Sequence, residues 1–324
     1  MTNLISKNSS KLKPVVTLMG PTASGKTNLA FSLCDHYPFE IISVDSAMIY
    51  KDMDIGSAKP TEKELEKYPH HLINIISPEQ TFSVSDFLNQ VEVVINQIHQ
   101  RNKIPLLVGG TMMYFNAFVH GLTELPQAND EIRKNIIHQA KLIGWDKLHQ
   151  KLSEIDPESA EKIKPNDTQR IQRALEVFEI TQKPMSLLWK EQALNALSEK
   201  YKTIQLALLP NDRQKLHDLI GKRFYQMLLQ GFLKEAESLF QKYSLNESMP
   251  SMRCVGYRQA WQFFKEELSY EEMIEKSIVA TRQLGKRQIT WLRHWKSDFF
   301  SLDPFNCDIQ RKLFHHLDQQ LGIL

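Results

Sequence analysis

The chain has 324 residues, 42% hydrophobic and 24% charged, which is material for a packed core of one or two domains and excludes a disordered chain. Its formal net charge is only +2, so a basic surface for nucleic acid must come from local clustering. Cys34, Cys254 and Cys307 are far apart with no C-x-x-C pair, which excludes a cysteine-based zinc site and a disulfide framework and fits a reducing cytosol.

The start, residues 1–13, reads as a short polar tail without a signal-type apolar segment. Residues 15–19 (VVTLM) are predicted as a buried parallel strand, and residues 28–34 carry a helical apolar pattern. Between them lies Gly20-Pro21-Thr22-Ala23-Ser24-Gly25-Lys26-Thr27, the G-x-x-x-x-G-K-[ST] phosphate cradle in its strand–loop–helix setting. In such a loop the glycines let backbone N–H groups close around phosphate oxygens. Lys26 reaches the terminal phosphate, Thr27 offers its hydroxyl to Mg²⁺, and the helix presents its N-terminus.

Residues 39–44 (FEIISV) form a second strand ending at Asp45-Ser46. Residues 85–99 show helical periodicity, and residues 104–108 (IPLLV) form a third strand broken by Gly109-Gly110-Thr111. This β-α-β alternation predicts a parallel sheet with helices on its faces, whose strand ends bring residues 20–27, 45–46 and 109–111 to one crevice. From about residue 121 to 200 the pattern is helical, polar and strand-poor, and is read as an insertion. Residues 203–209 (TIQLALL) return to an apolar strand, and helices follow over 212–231, 232–242, 257–264 and 270–295. The expected fold is therefore an α/β protein with a P-loop NTPase-like parallel sheet core over 14–120 and 201–305, a helical insertion domain over 121–200, and a C-terminal segment over 306–324. No apolar stretch approaches the roughly 18–20 residues that span a bilayer, so no membrane partner and a cytoplasmic location are expected.

A phosphate loop does not define the reaction. An ATP- or GTP-driven kinase or NTPase would hold Mg²⁺ with an Asp after an apolar strand, a place Asp45 could fill. On the first 60 residues alone, kinase and other phosphate-ester chemistry are evenly matched. A small-molecule kinase is the rival reading, and a nucleotide-switched binding protein a weaker third.

The stretch ISVDSAMIYKDMDIGSAKP (42–60) decides between them. With GPTASGKT, HHLINI (70–75), LLVGGTMMYF (106–115), NDTQRIQRALEV (166–177), GKRFYQMLLQGFLKEAESL (221–239), MRCVGYRQAW (252–261) and ATRQLGKRQITWLRHW (280–295), it resembles the bacterial tRNA dimethylallyltransferases, also called tRNA isopentenyltransferases. The blocks run in the family's order from about residue 14 to 296. The resemblance implies transfer of a dimethylallyl group from dimethylallyl diphosphate to the exocyclic amine of the adenine immediately 3′ of the anticodon, in tRNAs reading codons that begin with U. On that reading the cradle holds a leaving diphosphate. The chain departs from the family at Met48, where Gln is usual, and at Met112-Met113-Tyr114, where Gly-Leu-Tyr is usual.

The resemblance also assigns roles. Lys26, Arg223 and Mg²⁺ on Thr27 would neutralise the leaving diphosphate, and Asp45 would be the general base for the amine. Thr111 would hydrogen-bond the amine or the diphosphate, or cap the helix that follows it. The adenine must swing out of a stacked loop, which calls for elements that grip the anticodon stem-loop. The family positions that contact tRNA correspond to Asp45, Ser46, Ala47, Met48 and Thr111 at the strand ends, Arg133, and Gln169-Arg170-Ile171-Gln172-Arg173. They continue with Arg253-Cys254-Val255-Gly256-Tyr257-Arg258, and with Arg282, Lys286, Arg287 and Gln288. Helical spacing sets Arg282, Lys286 and Arg293 within about 40° of one another. Such basic segments count against a small-molecule kinase. His70-His71 reads as structural, Trp261, Trp291 and Trp295 as core, and the protein as a monomer.

Overall fold

The computed structural model describes residues 12–123, 125–191 and 196–323; the polar tail expected at 1–13 lies, through residue 11, outside them. Among the described residues six strands make one sheet: β1 (Pro14–Met19), β2 (Phe39–Val44), β3 (His70–His71), β4 (Ile104–Gly109), β5 (Lys202–Leu208) and β6 (Phe300–Leu302). Their order is β3-β2-β4-β1-β5-β6, and every pair is parallel. β1 and β2 are covered on both faces, which is why they read as unbroken apolar runs rather than alternating ones.

Helices Val84–Gln100 and Met112–His120 bring Phe87, Val91, Ile95, Phe115 and Phe118 to one face of the sheet. Helices Lys26–His36 and Ile309–Leu321 bring Leu29, Leu33, Leu313 and Leu317 to the other. Trp295 packs against the first of these cores, as expected, whereas Trp291 is 40% exposed and its expected core position is corrected. A helical period aligns residue 292, which is buried, with 285 and 288 and turns 291 outward.

The register decides where the strand ends emerge. Val44 lies opposite Gly109, Gly109 opposite Met19, and Met19 opposite Ala207, so the loops after β2, β4, β1 and β5 leave from one row. Gly109 must be a glycine, because a Cβ there would sit 2.0 Å from the Val44 carbonyl oxygen.

The histidine pair is the two-residue edge strand β3. His71 Nε2 meets Glu40 Oε2 at 2.9 Å, and Arg101 donates to the same carboxylate from Nε at 3.0 Å and Nη2 at 2.5 Å. Arg101 foremost, against the opposing effect of burial, holds the Glu40 carboxyl down to about 2. A lowered folded-state pKa contributes stability above the ordinary value and loses it as pH falls. Glu40→Gln should therefore destabilise the protein by about 1–3 kcal/mol at neutral pH. In urea titrations the gap from the parent should shrink as pH falls from 5 toward about 2; an equal gap at both ends would remove the ion pair as its cause.

Contact clustering divides the chain into a sheet unit, through Val119 and from Ala196 on, and a second unit, His120–Asn195. The second unit has helices Asp130–Ile143, Trp145–Ile155, Pro157–Lys162, Thr168–Thr181 and Met185–Glu191 and a core of its own around Ile136, Leu148, Leu152, Ile171 and Leu175. Residues 197–200, expected in the insertion, instead make a 3₁₀ turn on the sheet unit, where Ser198 Oγ donates to the Val119 carbonyl at 2.8 Å.

Candidate active site

The phosphate loop links β1 to helix Lys26–His36. Gly25 takes φ +80°, a conformation glycine adopts without cost, and Ala23 takes φ +61°. Ala23 pays that strain while packing against the small cluster of Leu216, Ile220 and Ile289, which ties the loop to helices Arg213–Leu229 and Tyr270–Arg293. Within the loop, Ser24 Oγ and Lys26 Nζ both donate to the Pro21 carbonyl, at 2.8 and 2.6 Å. Burial first, then the nearby charge of Arg223, lowers the Lys26 pKa to about 7, against a smaller opposing pull from Asp45. Arg223, from helix Arg213–Leu229, points Nη1 at Thr22 Oγ1 at 3.4 Å, and burial lowers its pKa as well. Two desolvated cations that repel each other beside a ring of loop amides form a site whose electrostatics favour an anion of more than one charge.

Asp45 continues β2. Its Oδ1 accepts from the Ala47 and Met48 amides at 2.8 and 3.3 Å, which folds the chain into a turn and leaves Oδ2 without a hydrogen bond among the described residues. Thr111 reaches across: its Oγ1 accepts from the Ser46 amide at 3.0 Å and donates to Ser46 Oγ at 3.4 Å. Its hydroxyl thus joins the ends of β2 and β4, and its carbonyl accepts from Tyr114 N–H at the start of helix Met112–His120. Cys254, half-buried, lies within electrostatic reach of Asp45; burial first and that carboxylate second push its thiol up to about 12, so it stays protonated.

The segment after Asp45 is held by side chains whose roles the sequence did not disclose. Glu235 accepts from the amides of Asp54, Ile55 and Gly56 at 3.0, 2.7 and 3.1 Å and from the Tyr257 hydroxyl at 2.6 Å. Lys59, its side chain 2% exposed, donates to Tyr50 O, Asp54 Oδ1 and Asn74 Oδ1. One carboxylate and one ammonium therefore shape the IGSAKP stretch from inside. Of the departures from the family pattern, Met48 is half-buried with its sulfur 3.8 Å from Ser43 Oγ, Met112 is buried, and Met113 is 53% exposed.

No group of three His, Cys, Asp or Glu suited to a metal occurs among the described residues. Thr27 offers a donor of a different kind. It is the second residue of helix Lys26–His36, and its hydroxyl makes no hydrogen bond among the described residues, leaving one hard oxygen donor beside the loop. That suits Mg²⁺, which takes few protein oxygens and completes its shell with phosphate oxygens and water.

A family model described as IPP transferase matches residues 48–295. The chain is 50% identical over 306 residues to a tRNA dimethylallyltransferase of Hydrogenovibrio crunogenus, covering 94% of each. The chain belongs to the IPP transferase family. Among solved structures it is similar to the full-length tRNA isopentenylpyrophosphate transferase of Bacillus halodurans, with 32% identity, TM-score 0.66 and coverage of 97% and 99% of the two chains. The Staphylococcus epidermidis tRNA isopentenylpyrophosphate transferase is similar at 30% identity and TM-score 0.64, over 95% and 99%. A eukaryotic dimethylallyltransferase acting on tRNA aligns at 28% identity with TM-score 0.78, over 96% of this chain and 80% of its own.

The residues that family resemblance points to for RNA fall into three environments. Gln169, Arg170, Arg253, Arg258, Lys286 and Arg287 are exposed; Arg282 is half-buried, with an Nε that has no partner among the described residues. Arg133 and Arg173 are committed elsewhere. Both guanidiniums bind the fully buried Glu176, at 2.9 and 2.6 Å, and Arg173 also donates to Pro126 O. Burial works to raise the Glu176 pKa, yet these hydrogen bonds and one from the Asn129 amide hold it below the usual range. Arg133 and Arg173, expected as tRNA contacts, are thus engaged with a buried carboxylate, and removing either would take from it one of its two arginine partners.

Three further expectations change in the same way. The side chain of Ile171 is 0% exposed, in the core of the second unit, because it lies on the apolar stripe of its helix. Tyr257 is 2% exposed and gives its hydroxyl to Glu235. Gln288 is 8% exposed, and both ends of its amide are bonded to backbone, Oε1 accepting from Thr22 N–H at 2.8 Å and Nε2 donating to Gly110 O at 2.9 Å.

Proposed function

We propose that the protein transfers the dimethylallyl group of dimethylallyl diphosphate to the exocyclic N6 amine of the adenine immediately 3′ of the anticodon, in tRNAs reading codons that begin with U. The observation that carries this reading is the convergence of Lys26 and Arg223 on the phosphate loop with Asp45 beside them. The allylic C–O bond breaks and its electron pair leaves with the diphosphate, where Lys26, Arg223 and the loop amides meet the developing charge. The amine nitrogen bonds to the allylic carbon and gives its proton to Asp45, whose Oδ2 is unengaged among the described residues, while Thr111 holds the end of β4 against Ser46. Bound on Thr27, Mg²⁺ would add charge neutralisation on the diphosphate. No described helix is long and apolar enough to cross a membrane. The enzyme is proposed to be a monomer that meets tRNA in the cytoplasm. The test is incubation of tRNA with either labelled dimethylallyl diphosphate or γ-labelled ATP. Label should enter tRNA from the first with release of diphosphate; entry from ATP alone would overturn the reading.

The RNA grip of the sheet unit is proposed to run over the exposed cations Lys286, Arg287 and Arg293, with Arg253 and Arg258; on the second unit, taken by itself, the exposed Gln169 and Arg170 are proposed to meet RNA. Ser46, Ala47, Met48 and Thr111 would meet the flipped adenine beside Asp45. Replacing Lys286 and Arg293 together by Ala should weaken tRNA binding and flatten the slope of log K against log salt by about 0.7–0.9 per lost phosphate contact. An unchanged slope would return this face to ordinary solvated surface.

A further inference from the structure

Gln288 lies on helix Tyr270–Arg293 between exposed cations, yet its own side chain turns inward. Its carboxamide accepts from Thr22 N–H of the phosphate loop and donates to the carbonyl of Gly110. The next residue along, Thr111, accepts from the Ser46 amide, and Ser46 follows Asp45. One amide therefore closes a chain of contacts from the loop through the Gly109-Gly110-Thr111 turn to Asp45. The loop and Asp45 sit on strands that are not neighbours, since β4 lies between β1 and β2, so sheet hydrogen bonds stop before reaching either. Thr22 N–H would otherwise be a loop amide free to swing, and Ala23 beside it already holds a positive φ.

We infer that Gln288 is a positioning residue, a strut whose two hydrogen bonds set the phosphate loop in register with the Gly110 turn, and through it with Asp45. The inference rests on the reading of the loop as a diphosphate cradle. An amide is the one side chain of this length that offers an acceptor to an N–H and a donor to a carbonyl at once. Methionine keeps the length and offers neither. Glutamate keeps the acceptor but faces the Gly110 carbonyl with an oxygen, and brings negative charge toward the cradle.

The test is calorimetric binding of inorganic diphosphate with Mg²⁺ to the full chain, alongside transfer kinetics and tRNA affinity. Gln288→Met should weaken diphosphate binding about tenfold and raise the KM for dimethylallyl diphosphate alike, while tRNA affinity holds. Gln288→Glu should be worse than Met, the reverse of the order that shape alone would give. A cycle guards against damage to the fold. A Cβ on Gly110 would sit 2.3 Å from Gln288 Nε2 and 3.2 Å from the Gly20 carbonyl oxygen, so Gly110→Ala should displace the strut in the parent and cost clearly less in Gln288→Ala, where only the Gly20 contact remains. Additive losses, diphosphate affinity equal to the parent's in Gln288→Met, or a loss confined to tRNA binding would each overturn the strut. Failure of the parent itself to bind diphosphate would overturn the cradle reading, and the strut with it.

Discussion

Lys26→Ala should lower transfer by at least about 10²–10³, the cost of removing a preorganised donor from a developing anion, while tRNA affinity stays within about twofold. The two effects separate because the cradle and the exposed cations lie on different elements. Thermal stability should not fall. Lys26 is desolvated next to Arg223, its pKa is pulled down to about 7, and a strained charge of this kind contributes no net stability. A variant that melted well below the parent, or lost tRNA and transfer together, would show that Lys26 holds the loop together rather than the diphosphate.

The same residue gives the reaction a pH signature. Lys26 must be protonated to meet diphosphate, and in the free protein it loses that proton as pH rises through about 7. A bound dianion favours the charged form, so binding draws a proton from solution above that pH. Affinity for dimethylallyl diphosphate, an ester whose last ionisation lies near 6 as in other phosphate esters, should therefore decline between about pH 7 and 9. Lys26→Ala should bind weakly at every pH with that decline removed. A decline that persisted in the variant would belong to another group.

How much of this was legible in the sequence depends on whether a partner lies nearby along the chain. β1, β2 and β4 announced themselves because burial on both faces leaves nearly continuous apolar runs, and β5 through the buried Leu206, Ala207 and Leu208 at its end. The edge strands β3 and β6 have two and three residues, too few for any period to register. Helix Met112–His120 was announced only by the cap Thr111 could supply, since it shows no amphipathic period, with Met112, Tyr114, Phe115, Ala117, Phe118 and Val119 buried. The phosphate loop was readable because its function resides in spacing. Gln288 was not, because its partners are backbone atoms, one of them 266 positions away, and backbone atoms carry no residue identity. Glu235 is hidden for the same reason, about 180 positions from the amides it gathers. Arg133 and Arg173 read only as tRNA contacts, because nothing in the sequence marks Glu176 as the buried carboxylate that engages both.

Asp45→Asn should slow the chemical step by roughly 10²–10⁴ with both substrates saturating. The geometry makes this a clean substitution. Oδ1, which accepts from the Ala47 and Met48 amides, has an equivalent oxygen in Asn, so the turn after β2 survives. What changes is the other position, where an NH₂ group replaces the oxygen left to take the amine's proton. Binding of tRNA and of diphosphate should both persist, with a melting temperature near the parent's. The competing role for Asp45 is to organise Mg²⁺ through water at the mouth of the cradle. In that case the Asn variant would need more Mg²⁺, and single-turnover transfer would recover as Mg²⁺ is raised. Recovery to near the parent rate would sink the base assignment. A loss that persists at every Mg²⁺ concentration is the result expected, since added metal cannot replace the missing proton acceptor.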